Sequence, residues 1–217
     1  MKHLLAGAII ICSALTANLA CAADPLWAKA VGHYKSLGKW VAADIETETY
    51  LEVNGEKKKV LVKSRLTSWS EGKPVYSVVS REPPLELGKV AKKGNSVDAL
   101  TNQLGEILTV DAHVKRFDNL TLGGKAVTLF HVEESHVGAK LSFKVWVDPT
   151  TGIPQESETK TRIPMMMEMR MLTLYTELAN VGLVEKQSDA NFESLVPFQN
   201  KKGRTIIRPT NWMARPN

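Results

Sequence analysis

The chain has 217 residues, with 28 Lys and Arg against 23 Asp and Glu, for a net charge of +5. Its only two cysteines, Cys12 and Cys21, sit close to the N-terminus, so the remainder has no disulfide to lean on and must be held by an apolar core. The mild positive balance, with no basic stretch interleaved with stacking aromatics, excludes an ordinary nucleic-acid binder and suits at most an acidic partner or an anionic membrane surface.

Lys2 and His3 precede an apolar run from Leu4 to about Leu15, and Ala20-Cys21-Ala22 supplies an A-x-A-like cleavage site. The run is shorter than the roughly 20 apolar residues of a membrane span. Residues 1–23 are therefore read as a cleavable export signal, with a periplasmic chain starting near Asp24. Its removal takes Lys2 with it and lowers the net charge from +5 to +4. Lipidation at Cys21 is the rival processing route, although Asn18 and Leu19 depart from the lipobox pattern.

Asp24-Pro25 opens a helix, because Asp caps free amides and Pro is tolerated at the first helical position. Leu26, Trp27, Ala30, Val31, Tyr34 and Leu37 recur at helical spacing, and Gly38 ends the pattern. From Val41 to Val53 the acids Asp44, Glu46, Glu48 and Glu52 alternate with Ile45, Thr47, Thr49 and Leu51, and Asn54-Gly55 is a two-residue hairpin turn. That turn sets Glu52 opposite Lys57, Glu46 opposite Lys63 and Asp44 opposite Arg65 on one face. The other face pairs Leu51 with Lys58, Thr49 with Val60 and Thr47 with Val62. A one-residue slip would carry the acids to the apolar face, so the register is fixed.

Glu71-Gly72-Lys73-Pro74 turns the chain into a strand from Val75 to Ser80. Arg81 through Asn95, with Lys89, Lys92 and Lys93, reads as an exposed excursion, and Leu100, Leu104, Ile107 and Leu108 mark a second short helix from about Val97 to Leu108. Strands follow on both sides of Gly123-Gly124, then from Lys140 to Asp148, Ile153 to Thr161 and Met165 to Thr176. Few helices and successive strands give an α+β layout, a meander of antiparallel strands with helices on one face. Residues 24–198 are expected as one domain. Residues 199–217, with Lys201, Lys202, Arg204, Arg208 and Arg215, are expected as a basic tail with a short strand at Thr205 to Arg208, either solvated or a contact for anionic lipid or a partner protein.

The run Trp146-Val147-Asp148-Pro149-Thr150-Thr151-Gly152-Ile153-Pro154 resembles the hairpin of the outer-membrane lipoprotein carrier superfamily, LolA/LolB-like, which includes RseB-like periplasmic regulators and mycobacterial lipid-binding lipoproteins. The resemblance implies a curved antiparallel sheet forming an incomplete β-barrel, helices over its open side and an apolar cavity between. It implies a carrier or sensor of a lipid or lipoprotein acyl group, with outer-membrane lipoprotein sorting as one such role.

Five of the seven methionines lie in Met165-Met166-Met167-Glu168-Met169-Arg170-Met171. As a strand this places Met165, Met167, Met169 and Met171 on one face. Three readings stand: an ordinary core strand, a deformable wall for acyl chains, or soft ligands for Cu(I). Candidate cavity-lining residues are Thr47, Thr49, Leu51, Val60, Val62, Phe143, Val145, Met167, Met169 and Met171. His131 and His136 with Glu133 and Glu134 are spaced wrongly for a zinc-protease helix, and two groups on one face do not complete a tetrahedral site. Ser36-Leu37-Gly38-Lys39 has the S-x-x-K form but falls at a helix end without the S-D-N and K-T-G elements that such chemistry requires. No catalytic constellation, metal site or cofactor is expected. The alternative to a carrier is a non-enzymatic regulatory or interaction module that grips another envelope protein through the basic tail.

Overall fold

The computed structural model describes residues 24–84, 108–110, 112–136, 138–197 and 201–216. The expected export signal with Cys12 and Cys21, the lysines 89, 92 and 93, and the expected second helix lie outside these residues, save for Leu108 at that helix's end.

Helix α1 spans Pro25–Leu37, and Asp24 caps it by accepting from Leu26 N at 2.8 Å and Trp27 N at 3.0 Å. Leu26, Trp27, Ala30 and Val31 are its buried stripe. The strands are β1 (Trp40–Val53), β2 (Glu56–Ser70), β3 (Lys73–Glu82), β4 (Lys115–Leu122), β5 (Lys125–His136), β6 (Ala139–Val147), β7 (Pro154–Ile163), β8 (Met167–Leu178), β9 (Gly182–Ser194) and β10 (Lys201–Ala214). They form one antiparallel sheet in the order β3-β2-β1-β10-β9-β8-β7-β6-β5-β4. The sheet does not close, since β3 and β4 are both edges, and the architecture is an incomplete barrel with a helix on one face.

The first hairpin takes the register that its charges dictate. Asp44 pairs with Arg65, Glu46 with Lys63, Thr47 with Val62, Thr49 with Val60 and Glu52 with Lys57. Asn54 and Gly55 carry positive φ of 53° and 85°, which suits a tight turn that follows the strand twist. Several segments depart from expectation. Arg81 and Glu82, expected to begin an exposed excursion, are the last residues of β3, and Gly182–Ser194 is a strand that was not expected. Met165 and Met166 are not strand residues: Met165 has φ 59°, and the two side chains are 75% and 59% exposed at the β7–β8 turn. The segment expected as a basic tail is the full strand β10, inserted between β1 and β9. Its Lys202, Arg204 and Arg208 are outward-facing partners of acids: Lys202 reaches Glu52 at 3.4 Å, Arg208 reaches Glu46 at 3.2 Å, and Arg204 takes Asp189. These three cations, expected in a tail, are one side of a cross-strand ion-pair ladder.

The core lies where α1 packs on β5 and β6. Trp27, Ala30 and Val31 meet Phe130, Val132, Phe143, Val145 and Val147, and Leu108 joins them. Trp27 Nε1 donates to Thr109 O at 2.9 Å, so the indole is buried without leaving its polar atom unpaired. Asp24 is tied to the far edge of the sheet by Arg116 at 2.9 Å. Burial alone would raise the Asp24 carboxyl, but Arg116 and the helix amides outweigh it and hold it below its ordinary range.

The Asp148–Gly152 turn seats the helix on the sheet. Asp148 Oδ1 accepts from Thr150 N at 2.9 Å and Thr151 N at 2.8 Å, and Gly152 N donates to Asp148 O at 2.9 Å. Gly152 has φ 76°, and a Cβ there would stand 2.8 Å from Lys29 Cβ and 3.2 Å from Leu26 O. Gly152→Ala is therefore expected to lower unfolding free energy by about 2 kcal/mol, from left-handed strain and the clash with α1, as read by urea titration. Truncating the chain before Lys201 is expected to abolish cooperative thermal unfolding, because β10 joins the two halves of the sheet. A truncated chain that melts like the full one would show that β10 is dispensable.

Candidate functional site

Strand alternation assigns every paired residue to one of two faces. The inner face is the one on which α1 packs. One inner row runs Val60, Thr49, Thr205, Ala190, Met171, Thr159, Phe143, Val132 across eight strands. The next runs Val62, Thr47, Ile207, Ser188, Thr173, Ser157, Val145, Phe130, and a third runs Lys58, Leu51, Gly203, Phe192, Met169, Thr161, Leu141. Met167, two residues before Met169 on β8, takes the same face. All ten residues expected to line a cavity thus share one face of one sheet, although they come from β1, β2, β6 and β8.

They do not share one environment. Phe143 and Val145 are fully buried under α1, with the Tyr34 ring edge-on to Phe143 at 5.9 Å, and belong to the packed core. Thr47, Thr49, Leu51, Val60, Val62, Met167, Met169 and Met171 are half-buried. Sequence reasoning missed several of their neighbours. Phe192 lies across Gly203, where a Cβ would stand 2.5 Å from the ring, so the glycine is there to admit the aromatic. Ile207, Thr205 and Ser188 come from strands with weak alternation; β-branching is the one sequence signal at Ile207 and Thr205, and Ser188 lacks even that. The face is rich in hydroxyls: Thr49 Oγ1 lies 3.3 Å from Thr205 Oγ1, Thr173 Oγ1 lies 3.1 Å from Ser188 Oγ, and Thr161 Oγ1 is buried without a partner. Apolar surface with a few placed polar groups is the usual make-up of a small-molecule site.

A polar cluster marks the boundary between the packed and half-buried parts. Tyr34 of α1 and Tyr175 of β8 meet edge-on at 5.6 Å, and the Tyr175 hydroxyl lies 2.9 Å from Ser157 Oγ. Glu185 pairs across the strands with Tyr175. Burial pushes both tyrosine hydroxyls well above their ordinary range. It also raises the Glu185 carboxyl, against a smaller lowering by a hydrogen bond from Ser188.

The outer face is a different chemical surface. A groove of about 540 Å³ opens there along two rows, Tyr50, Lys59, Arg204, Asn191, Arg170 and Glu52, Lys57, Lys202, Glu193, Glu168. Of the ten expected lining residues it touches only Leu51. Its cations are largely neutralised within the sheet. Lys59 binds Glu48 at 2.6 Å, Arg204 chelates Asp189, and Arg170 Nε donates to the buried Glu158 at 2.6 Å with Lys160 at 3.2 Å on the other oxygen. The Lys59 ammonium, then the Tyr50 hydroxyl, pull Glu48 down to about 2. Pairing takes up most of the groove's charges and orders the strands, and the groove lacks the continuous apolar rows of the other side, so the inner face is the better candidate site in spite of the groove's volume.

His131 and Glu133 share the outer face. His131 Nε2 lies 2.9 Å from Ser142 Oγ and 3.5 Å from Glu133 Oε1, with burial lowering its basicity. Both partners reach the same nitrogen, so this is not a relay in which an acid orients the ring from behind. Among the described residues no three His, Cys, Asp or Glu side chains converge as metal ligands.

Glu185 supplies a pH test of this arrangement. Its raised value means that the protonated form is favoured in the fold. That contribution is complete below the ordinary carboxylate range and is lost as pH rises through the folded value. Glu185→Gln is expected to raise the melting temperature by a few degrees at pH 8, with the gain shrinking toward pH 4. An equal gain at both pH values would show that the carboxyl is not held in a desolvated place.

No family model matches the chain, and no curated protein sequence matches it. Among solved structures it is similar to a DUF1329 family protein from Desulfovibrio piger, at 11% identity and a TM-score of 0.43, over 89% of this chain and 93% of that one. It is similar to a domain assigned to outer membrane lipoprotein sorting from Vibrio parahaemolyticus, at 10% identity and a TM-score of 0.44, over 88% and 92%. A third likeness is to the MucA/MucB complex of Pseudomonas aeruginosa, at 8% identity and a TM-score of 0.25, over 89% of this chain and all of the matched chain.

Proposed function

We propose that the protein is a non-enzymatic carrier or sensor of the periplasm that holds the acyl group of a lipid or lipoprotein on the inner face of its incomplete barrel. Transit of lipoproteins to the outer membrane is the role this reading favours, and no cofactor enters it. The observation that carries it is the shared inner face, where eight of the ten expected lining residues stay half-buried while Phe143 and Val145 fill the helix core. Met167, Met169 and Met171 there re-pack readily around chains of different length. The hydroxyls of Thr47, Thr49 and Thr205 offer polar contacts without a reactive group.

The alternative of an interaction module loses its contact element as first drawn, because Lys201–Ala214 is a strand inside the sheet. A partner protein would have to meet a face or one of the two edges.

Purification from the native envelope followed by native mass spectrometry and solvent extraction tests the carrier reading. Co-purifying lipid or an acylated peptide is expected, and a clean unliganded mass with no uptake of added lipid would sink it. Met169→Glu is expected to reduce acyl retention by at least tenfold in a chain that still melts cooperatively, since the side chain is half-buried at the face. Val145→Glu is expected to unfold the protein, because an unpaired carboxylate there would sit in the packed core. Met169→Glu unfolding in the same way would make Met169 ordinary core.

A further inference from the structure

Arg81 is a half-buried arginine on β3. Its pairing with Val62 places it at the β3 end of the inner row that continues through Thr47 and Ile207 to Ser188. The Nε atom is closed off from solvent and has no hydrogen-bond partner among the described residues. Among the described residues Arg81 makes no ion pair, whereas Arg65, Arg116, Arg170, Arg204 and Arg208 each hold an Asp or Glu. Strand alternation is the cause. The acids nearest in the sheet, Asp44, Glu46 and Glu48 of β1, all point to the outer face, where they hold Arg65, Lys63, Lys59 and Arg208. Lys58, on the same inner face as Arg81, has its own carboxylate in Glu56 at 3.6 Å.

A guanidinium cannot shed its proton in a protein, and an Nε–H closed off from water without an acceptor is costly. Its planar fork matches a carboxylate or phosphate in two parallel hydrogen bonds. Next to it lie the half-buried Val60, Val62, Thr47 and Thr49. From β3 to β9 is four strand steps, on the order of 20 Å at about 4.8 Å per step, enough for a long acyl chain laid across the strands.

We propose that Arg81 is the head-group site of the inner face and that the ligand is an anionic amphiphile, its carboxylate or phosphate on Arg81 and its acyl chain running toward Phe192 and Met171. This rests on the carrier reading and adds the head-group chemistry. A neutral acyl chain fills the same face without relieving the arginine.

The purified protein, with its Arg81→Gln and Arg81→Lys variants, is titrated calorimetrically with dodecanoate, dodecyl phosphate and neutral dodecanol, and each variant is melted. The two anions are expected to bind the parent protein about tenfold to a hundredfold tighter than dodecanol, the range of a charge-assisted hydrogen bond. Arg81→Gln should erase that preference and leave dodecanol affinity unchanged, while Arg81→Lys should keep part of it. The stronger of the two anions identifies the head group as carboxylate or phosphate. Equal binding of charged and neutral chains by the parent protein overturns the head-group site and leaves the carrier reading standing. So does an Arg81→Gln variant that weakens all three alike and melts lower, since that is the signature of a structural arginine. If none of the three binds the parent protein, the carrier reading falls and the Arg81 site falls with it.

Discussion

The last strand of the chain lies between the first strand and the ninth, and the sheet exists as one body because of it. Every other pairing joins strands consecutive in sequence, and each hairpin closes a short loop at small entropic cost. β10 alone brings distant segments together, as in the 3.3 Å approach of Thr49 and Thr205. Without it there would be two separate sheets, β3-β2-β1 and β9 through β4, each with one more exposed row of unpaired backbone groups. The inner rows are continuous from β2 to β5 only because Gly203, Thr205 and Ile207 fill the gap. The proposed acyl path crosses the sheet at this junction.

The strict alternation of a two-faced sheet then divides the chemistry. On the outer face acids and bases meet across strands at 2.5 to 3.8 Å and neutralise one another. Exposed pairs of this kind are individually worth little, and their main effect is to penalise any slip in register. On the inner face hydroxyl and apolar side chains mix, with a few charged residues such as Lys58, Arg116 and Glu185 among them. One end of that face is filled by α1, docked against the close backbone approach at Gly152, and the Tyr34–Tyr175–Ser157 cluster marks where the filling stops. Arg81 is a cation turned to the side from which β1 has withdrawn its acids.

Some of this was legible in the residues. Helix α1 was, because Asp24, Pro25 and a helical stripe agree at every level. The first hairpin was legible to the individual pair, because Asn54-Gly55 fixes the turn and a charge ladder admits one register. The seating turn was legible too, through Asp148 and Gly152. In each case the deciding interactions are local, within a turn or between strands joined by one.

Strands β9 and β10 were not legible, and neither was the division of the inner face. Gly182–Ser194 shows little alternation, since Ser188 and Ala190 on its inner side are hardly more apolar than their outward neighbours. Lys201–Ala214 looks like a basic tail until β1 and β9 supply the acids that its Lys202, Arg204 and Arg208 answer. The ten expected lining residues follow from alternation, and alternation is a property of sequence. Which of them α1 covers is not, because Phe143, Val145, Thr47 and Thr49 carry the same periodic signal. Arg81 is in the same position: its charge is written in the chain, but the face it is turned to follows from strand pairing. Sequence by itself determined the periodicity, the turns and the local registers, which are set by interactions spanning a few residues. Only the tertiary structure decided which strand fills the centre, which side chains become core and which face Arg81 is turned to, because those outcomes depend on segments that meet across the whole length of the chain.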